Sequence, residues 1–164
     1  MILHLSKQLN DRLKCSVSLQ GMPVIQAGRL DAWSGHCFRI GRVEHVMMMN
    51  DASLYTILMP ARGLTSIDSF LKVFLPRVAE VWHRFEAEFD DQNQQVIVLK
   101  RTNRSLIGSM NDAIQATKFH FDYTRNETHS FEPATIEERL NMVPYKALQY
   151  SAPCELLSKL LKDG

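Results

Sequence analysis

The chain has 164 residues, of which 45% are hydrophobic and 23% are charged, and its formal net charge is +1. This composition excludes a disordered, collagen-like or membrane-spanning protein, and the length suits a domain that buries a substantial core without a disulfide or metal. A protein that binds long nucleic acid without sequence preference usually carries a clear basic excess, which this chain lacks.

The amino-terminal part of the chain predicts one strand, one short helix and an irregular stretch. Residues 2–5 favour a strand rather than a signal peptide, because no positive cluster or cleavage site accompanies their apolar side chains. Ser6 can cap a helix that runs through about Leu13. Glycines and a proline interrupt residues 15–35, which we interpret as a loop with room for one short strand.

A meander of three strands is the clearest pattern in the sequence, and it begins at His36. Side chains alternate from there, so that Phe38 and Ile40 share one face. Gly41-Arg42 then separates two apolar runs, as in a two-residue type II′ hairpin turn. Residues 43–49 therefore form the second strand of the predicted meander.

The third strand of the meander is predicted at residues 54–59 and ends at Pro60. Asn50 and Asp51 supply the turn before it, since both residue types tolerate a positive φ. Apolar residues on both faces of this strand predict that it lies at the centre of the sheet.

Two amphipathic helices and one strand follow the meander. The first helix runs from about 66 to 88 and contains Pro76, which predicts a kink or a junction of two helices. Residues 96–99 predict a strand, and residues from about 104 to 122 predict the second helix.

The carboxyl-terminal part of the chain predicts a linker and two short helices. Residues 124–134 are polar, Thr135–Glu138 reads as a capping box, and Pro153 opens a last helix with a leucine stripe. The predicted fold class is α+β: an antiparallel β-meander sheet with packed amphipathic helices and a helical C-terminal tail. We divide the chain into an α+β core domain, 1–125, and an extension, 126–164, that packs on the core or on a second subunit.

Four stretches of the sequence stand out as motifs. They are Ile2–Leu9, Trp33–Ile40, Asn50–Leu54 and, the most specific, Thr102–Asp112. Together they resemble an uncharacterised bacterial domain family, the domain of unknown function DUF6933, over about residues 1–125. The resemblance implies a bacterial, cytoplasmic, single-domain protein, and it carries no activity, cofactor or catalytic residue.

The sharpest candidate for a functional site is the turn that leads from the strand at 96–99 into the helix near Arg104. The first amides of a helix lack internal partners and lie at its positive end, so basic and polar neighbours there suit phosphate, carboxylate or a nucleic-acid backbone. The candidate ligand-binding residues are Lys100, Arg101, Asn103, Arg104, Ser105, Ser109 and, as a ring that stacks on a flat ligand, Trp33. The alternative is that Asn103 or Ser105 only caps the helix, Gly108 packs against the sheet and the basic side chains are solvated.

Other chemical constellations in the sequence are weaker. Asp31–His36 holds an acid, a hydroxyl and an imidazole, but neighbours in one loop rarely reach triad geometry, so we interpret it as a turn. The six histidines include no i, i+4 pair, and we predict no metal and no cofactor; a cluster of His4, His36 and His45 is the alternative. Glu137 and Glu138 are interpreted as residues that complement a helix dipole.

The functional hypothesis is a non-catalytic binding or regulatory module with an anion-binding site near residue 104, because no nucleophile, metal or acid–base set stands out. The alternatives are an enzyme that acts on a phosphate-bearing or other anionic substrate, and a nucleic-acid-associated protein. The predicted partners are a small anionic ligand and, through the C-terminal helix, a second copy of the chain; neither a membrane nor nucleic acid is expected. Three cysteines without a CxxC spacing favour reduced thiols and a cytoplasmic location.

Overall fold

A computed structural model describes residues 1–15, 28, 30–90, 94–128 and 133–163. Most of the loop expected at 15–35 and part of the expected linker lie outside these described residues. The elements in chain order are β1 (Ile2–Leu5), α1 (Lys7–Leu13), β2 (Ala32–Ile40), β3 (Val43–Asn50), β4 (Thr56–Pro60), α2 (Ile67–Arg84), β5 (Ile97–Lys100), α3 (Arg104–Thr128), α4 (Pro133–Met142) and α5 (Pro153–Lys162), with a short 3₁₀ helix at Lys146–Leu148.

The five strands form one mixed sheet in the order β4-β3-β2-β1-β5. The antiparallel meander of β2, β3 and β4 confirms the sequence prediction. However, β1 pairs in parallel with both β2 and β5, so the prediction of a purely antiparallel sheet is wrong. Parallel neighbours need long crossover connections, and the segments that contain α1 and α2 provide them.

The hairpin between β2 and β3 has the predicted two-residue turn. Ile40 pairs with Val43, and Gly41 between them has φ +57°, a value that glycine adopts at little cost. The first strand of this hairpin begins at Ala32 rather than at His36. Trp33 is consequently a strand residue and not part of a turn.

The loop between β3 and β4 is organised by the side chain of Asn50, which is fully buried. Its Nδ2 donates to the carbonyls of Leu30 (2.9 Å) and Ala32 (3.3 Å). Its Oδ1 accepts from the amides of Ala52 and Ser53 and from the Ser53 hydroxyl. The turn predicted after Asn50 is confirmed, although the residue of this loop with a positive φ is Leu54, at 58°, and not Asn50 or Asp51.

The third strand of the meander is buried on both faces, as its apolar residues predicted, but the prediction that it lies at the centre of the sheet is wrong, since β4 is an edge strand. Three of its outward backbone groups are nevertheless paired, because two side chains of α4 bind them. Glu137 Oε2 accepts from the amide of Leu58 at 2.8 Å. Asn141 accepts from the amide of Thr56 at 2.7 Å and donates to its carbonyl at 2.8 Å. We call Glu137 and Asn141 the edge clamp; they are one helical turn apart and therefore face the same strand.

Helices cover both faces of the sheet, and each face has its own core. The core under α1, α2 and α5 includes Leu9, Leu13, Trp33, Phe70, Phe74, Val78, Trp82 and Leu157. The core under α3 and α4 includes Phe38, Met47, Met49, Leu106, Met110, Ile136 and Leu140. Burial of apolar surface on both faces is the main force that holds these layers together, because each Å² removed from water stabilises the fold by about 25 cal/mol.

The helix boundaries differ from the predicted ones at three places. Pro76 lies inside one continuous helix, α2, which ends at Arg84 because Glu86 takes a left-handed φ of 60°. The third helix continues to Thr128, into the segment predicted as a linker. The next helix starts at Pro133, so Thr135 is not its cap as the capping-box pattern predicted. Among the described residues, no helix is long and apolar enough to cross a membrane.

Candidate functional site

The neighbouring strands β1 and β5 finish side by side at one end of the sheet. The chain leaves them into helices on opposite faces. The chain leaves β1 into α1, whose Leu9 and Leu13 lie in the first core. It leaves β5 towards α3, whose Leu106 and Met110 lie in the second core. Neighbouring parallel strands whose following helices diverge in this way form a switch point, the usual position of ligand crevices in open α/β sheets.

The amino terminus of α3 is partly capped by the protein itself. Asn103 Oδ1 accepts from the amide of Leu106 at 3.2 Å, which is the role that the alternative interpretation gave it. Within the described ranges, no hydrogen bond reaches the amides of Arg104 and Ser105. The helix therefore presents two free amides at the positive end of its dipole.

Arg101 is the half-buried cation of this region. Its amide donates to the carbonyl of Leu5 at 3.1 Å, which extends the pairing of β5 with β1. Its guanidinium turns inward, and Nη1 lies 2.9 Å from the sulfur of Met110. Burial lowers the pKa of Arg101, and the guanidinium forms no ion pair with any carboxylate in the described part of the chain.

Two further polar side chains, Ser6 and His36, lie at the same end of the sheet. Ser6 follows β1 directly, caps α1 by accepting from the amide of Leu9, and lies 2.9 Å from His36 Nδ1 through its hydroxyl. Burial, followed by the charge of Arg101, lowers the pKa of His36. From the sequence, Ser6 was predicted only as a helix cap, and His36 was grouped with Asp31. Ser6 is a polar residue directly after β1. This position indicates a contact with His36 only once β1 and β2 are known to be parallel neighbours.

The other predicted ligand-binding residues are placed differently from one another. Lys100, Arg104 and Ser105 are exposed, and Ser109 is buried under the first turns of α3. Trp33 lies in the core on the opposite face of the sheet, where its ring packs against Phe74 and Trp82 at centroid distances of 5.3 and 5.9 Å. The structure therefore does not bring Trp33 to the site where Arg101 lies. Gly108 faces open space, so no close approach requires a glycine there.

The residues of the Asp31–His36 constellation do not form a catalytic triad. Asp31 accepts from the amide of Gly28 at 2.7 Å, and His36 pairs with Ser6. The Ser34 hydroxyl is buried and has no partner among the described residues. No group of three His, Cys, Asp or Glu side chains in the described residues has the geometry to hold a metal ion.

The two histidines with depressed pKa values, His36 and His45, predict a loss of stability in acid. Burial is the first cause for both, so each binds a proton less readily in the folded chain than in the unfolded chain, whose pKa is 6.5. The unfolded state therefore takes up more protons as the pH falls below about 6.5, and the free energy of unfolding decreases until the folded pKa values are passed.

Urea titrations between about pH 7.5 and 5.5 measure this loss, because histidine titrates in that range. We expect a His36→Gln, His45→Gln double variant to show a flatter pH profile than the unsubstituted protein. Carboxylate contributions are common to both proteins and cancel in the difference. Parallel profiles would contradict the assignment.

Comparison with known protein families identifies a match over most of the chain. The family model described as a domain of unknown function (DUF6933) matches residues 2–156, which extends well past the 1–125 covered by the resemblance in the sequence. No curated protein and no solved structure matches the chain.

Proposed function

Because the chain belongs to the DUF6933 family, a domain of unknown function, we propose its function from its own geometry: it is a non-catalytic binding module that holds a small anion where β1 and β5 end. The ligand lies between the amino terminus of α3 and the guanidinium of Arg101. Phosphate and carboxylate groups both fit this description, because each accepts several charge-assisted hydrogen bonds at once.

The observation that carries the proposal is the half-buried guanidinium of Arg101. A cation that is withdrawn from water loses solvation, and proteins normally offset that loss with a carboxylate or with several hydrogen bonds. Arg101 has only a methionine sulfur within hydrogen-bond distance among the described residues. An anionic ligand would supply the missing partner.

Three neighbouring features support the same location. The free amides of Arg104 and Ser105 add donors beside Arg101. The exposed side chains of Lys100 and Arg104, close to Arg101 in the chain, add positive charge. The switch point between β1 and β5 is where open sheets usually bind their ligands.

The 2.9 Å contact between Ser6 and His36 favours an enzyme that acts on an anionic substrate as the second candidate, since a hydroxyl beside an imidazole is the start of a nucleophilic site. Binding without catalysis is preferred because Ser6 is buried and its oxygen already caps α1. Turnover of a phosphate or carboxylate ester that Ser6→Ala abolishes would reverse this preference.

Calorimetric titration with inorganic phosphate and with a nucleoside monophosphate tests the proposal. We expect the double variant Arg101→Ala, Arg104→Ala to bind at least about tenfold more weakly, because a single hydrogen bond to a charged group contributes about 1.5–3 kcal/mol. The matched control is Arg42→Ala, Arg62→Ala, which removes the same charge from two exposed arginines on other loops. Equal affinities in both double variants, or unchanged affinity in the first, would contradict the site.

Salt dependence separates small-anion binding from a nucleic-acid role. Binding to single-stranded RNA that weakens steeply with salt would indicate counterion release across many phosphates. A shallow dependence with a mononucleotide is the result expected of a single anion site.

The remaining parts of the proposal concern the cell and the assembly. Cys15, Cys37 and Cys154 are free thiols, which supports a reducing cytoplasmic location. The C-terminal extension places Leu157 in the first core and packs Leu161 against it. This arrangement supports packing of the extension on its own domain rather than on a second subunit.

A further inference from the structure

A cavity of about 510 Å³ opens between α2, α4 and α5, well separated in the chain from the Arg101 site. Its lining includes Arg77 and Arg84 of α2, Glu137 of α4 and Cys154 of α5. Tyr55, which directly precedes β4, also lines it. Its volume lies within the range of roughly 300–1,000 Å³ that small-molecule sites occupy.

The acceptors in this cavity are already used by the protein. Both oxygens of Glu137 accept from Arg77 Nη2, at 2.8 and 2.9 Å, and Oε2 also accepts from the amide of Leu58. The side chain of Asn141 is fully engaged with the backbone of Thr56. Both residues of the edge clamp therefore have few free hydrogen-bonding groups to offer a ligand.

Some donors in the cavity, by contrast, are unused, although Arg77 already pairs with Glu137 through Nη2 and with Glu80 through Nη1. Arg77 Nε is buried and has no partner among the described residues. Arg84 is exposed and forms no ion pair within the described ranges, although it lies close enough to Glu137 to act on its charge. The Tyr55 hydroxyl adds a third donor beside them. A ligand that matches this set must carry acceptors.

The apolar part of the lining comes from Phe85, Ala134 and Met142, and Thr135 and Glu138 complete it. We propose that this cavity binds a small monocarboxylic acid, with its carboxylate at Arg84 and Arg77 and its apolar body against Phe85 and Met142. A dianionic phosphate suits the cavity less, because the charges of Glu137 and Glu138 lie in the same lining. The planar fork of arginine fits a carboxylate in two-point contact.

Hexanoate is a suitable probe, and hexanol is its uncharged counterpart. Proteins labelled at the methionine methyl groups report binding through the signal of Met142, while Met48, which is fully buried in the first core and does not line the cavity, serves as an internal reference. We expect a saturable shift of Met142 with hexanoate and at least tenfold weaker binding of hexanol. Arg84→Gln should weaken hexanoate at least about tenfold, whereas the exposed Arg62→Gln should change it less than twofold.

Alkylation of Cys154 gives a second, independent measurement. Hexanoate should slow the reaction of Cys154 with iodoacetamide and leave Cys15 unaffected, with mass spectrometry identifying each thiol. Equal binding of hexanol, tighter binding of inorganic phosphate as read from Met142, or an Arg84→Gln variant with an unchanged Met142 titration would each overturn the proposal. The Met142 titration with hexanoate should be the same in the Arg101→Ala, Arg104→Ala variant, so failure at one site leaves the other standing.

Discussion

Replacing Glu137 by alanine is expected to lower the free energy of unfolding by about 3 kcal/mol or more, although its sequence context suggests only a helix-dipole role. The substitution removes the acceptor of the Leu58 amide and the partner of Arg77 in one step. An edge-strand amide would lose its hydrogen bond, and a half-buried cation would lose its buried counterion and keep only the longer contact with the exposed Glu80. Chemical denaturation followed by circular dichroism measures the loss.

Three comparisons make this expectation specific to the edge clamp. Glu138→Ala alters the exposed neighbour on the same helix and should change stability by less than about 0.5 kcal/mol. Glu137→Gln keeps an oxygen for Leu58 and should lose only part of the stability. Arg77→Met combined with Glu137→Ala should cost less than the sum of the single changes, because the two side chains interact directly. Strictly additive effects would show that the ion pair contributes nothing.

The second large effect is expected at Asn50, where aspartate should destabilise the protein by at least about 3 kcal/mol at neutral pH. The amide nitrogen of Asn50 donates to two carbonyls, and a carboxylate would place a buried negative charge against both. Asn50→Ala loses the same donors without adding a charge, so its cost should be smaller.

The pH dependence distinguishes charge from shape in this variant. Burial raises the pKa of a carboxyl group in the folded state, so the introduced side chain would be protonated there at a higher pH than in the unfolded chain. The stability of the Asn50→Asp variant should therefore rise as the pH is lowered towards about 4, while that of Asn50→Ala should not. Equal stabilities of the two variants at every pH would contradict the hydrogen-bond assignment of Asn50.

The sequence predicted well the elements whose pattern is local. Alternation along residues 36–49 and a glycine between two apolar runs were enough to predict the β2–β3 hairpin, and helical spacing was enough for α2 and α3. The parallel pairing of β1 was not predictable in the same way. Four residues such as those of β1 or β5 show no direction-specific pattern, because partner and direction are set by the crossovers that connect them.

The candidate site shows the same division between local and distant information. The strand–turn–helix segment that ends at Arg104 is local and was predicted. Trp33 was included as a ring that stacks on a flat ligand, but its side chain lies in the core on the other face of the sheet from Met110, which Arg101 contacts. The contact of Ser6 with His36 joins positions thirty residues apart and depends on the β1–β2 register.

Glu137 was misinterpreted although a signal for its role was present. Glu137 directly follows Ile136, and Asn141 directly follows Leu140. All four side chains are buried, so the buried side of α4 includes two polar residues. Polar side chains on an apolar helix face require partners there, and an edge strand with unpaired backbone groups is the partner that such a helix can serve.

The edge clamp also bears on how the folded chain avoids aggregation. An uncovered edge strand is a template on which another chain can add a strand, and β4 is both apolar and buried on its two faces. By binding the amides of Thr56 and Leu58 with side chains, α4 removes the hydrogen-bonding groups that such an addition would need. The opposite edge, β5, is only four residues long and ends at a lysine, which are features that discourage strand addition. We therefore expect a chain cut before Pro133, in which these groups of β4 lose their partners, to aggregate by strand addition more readily than the full chain.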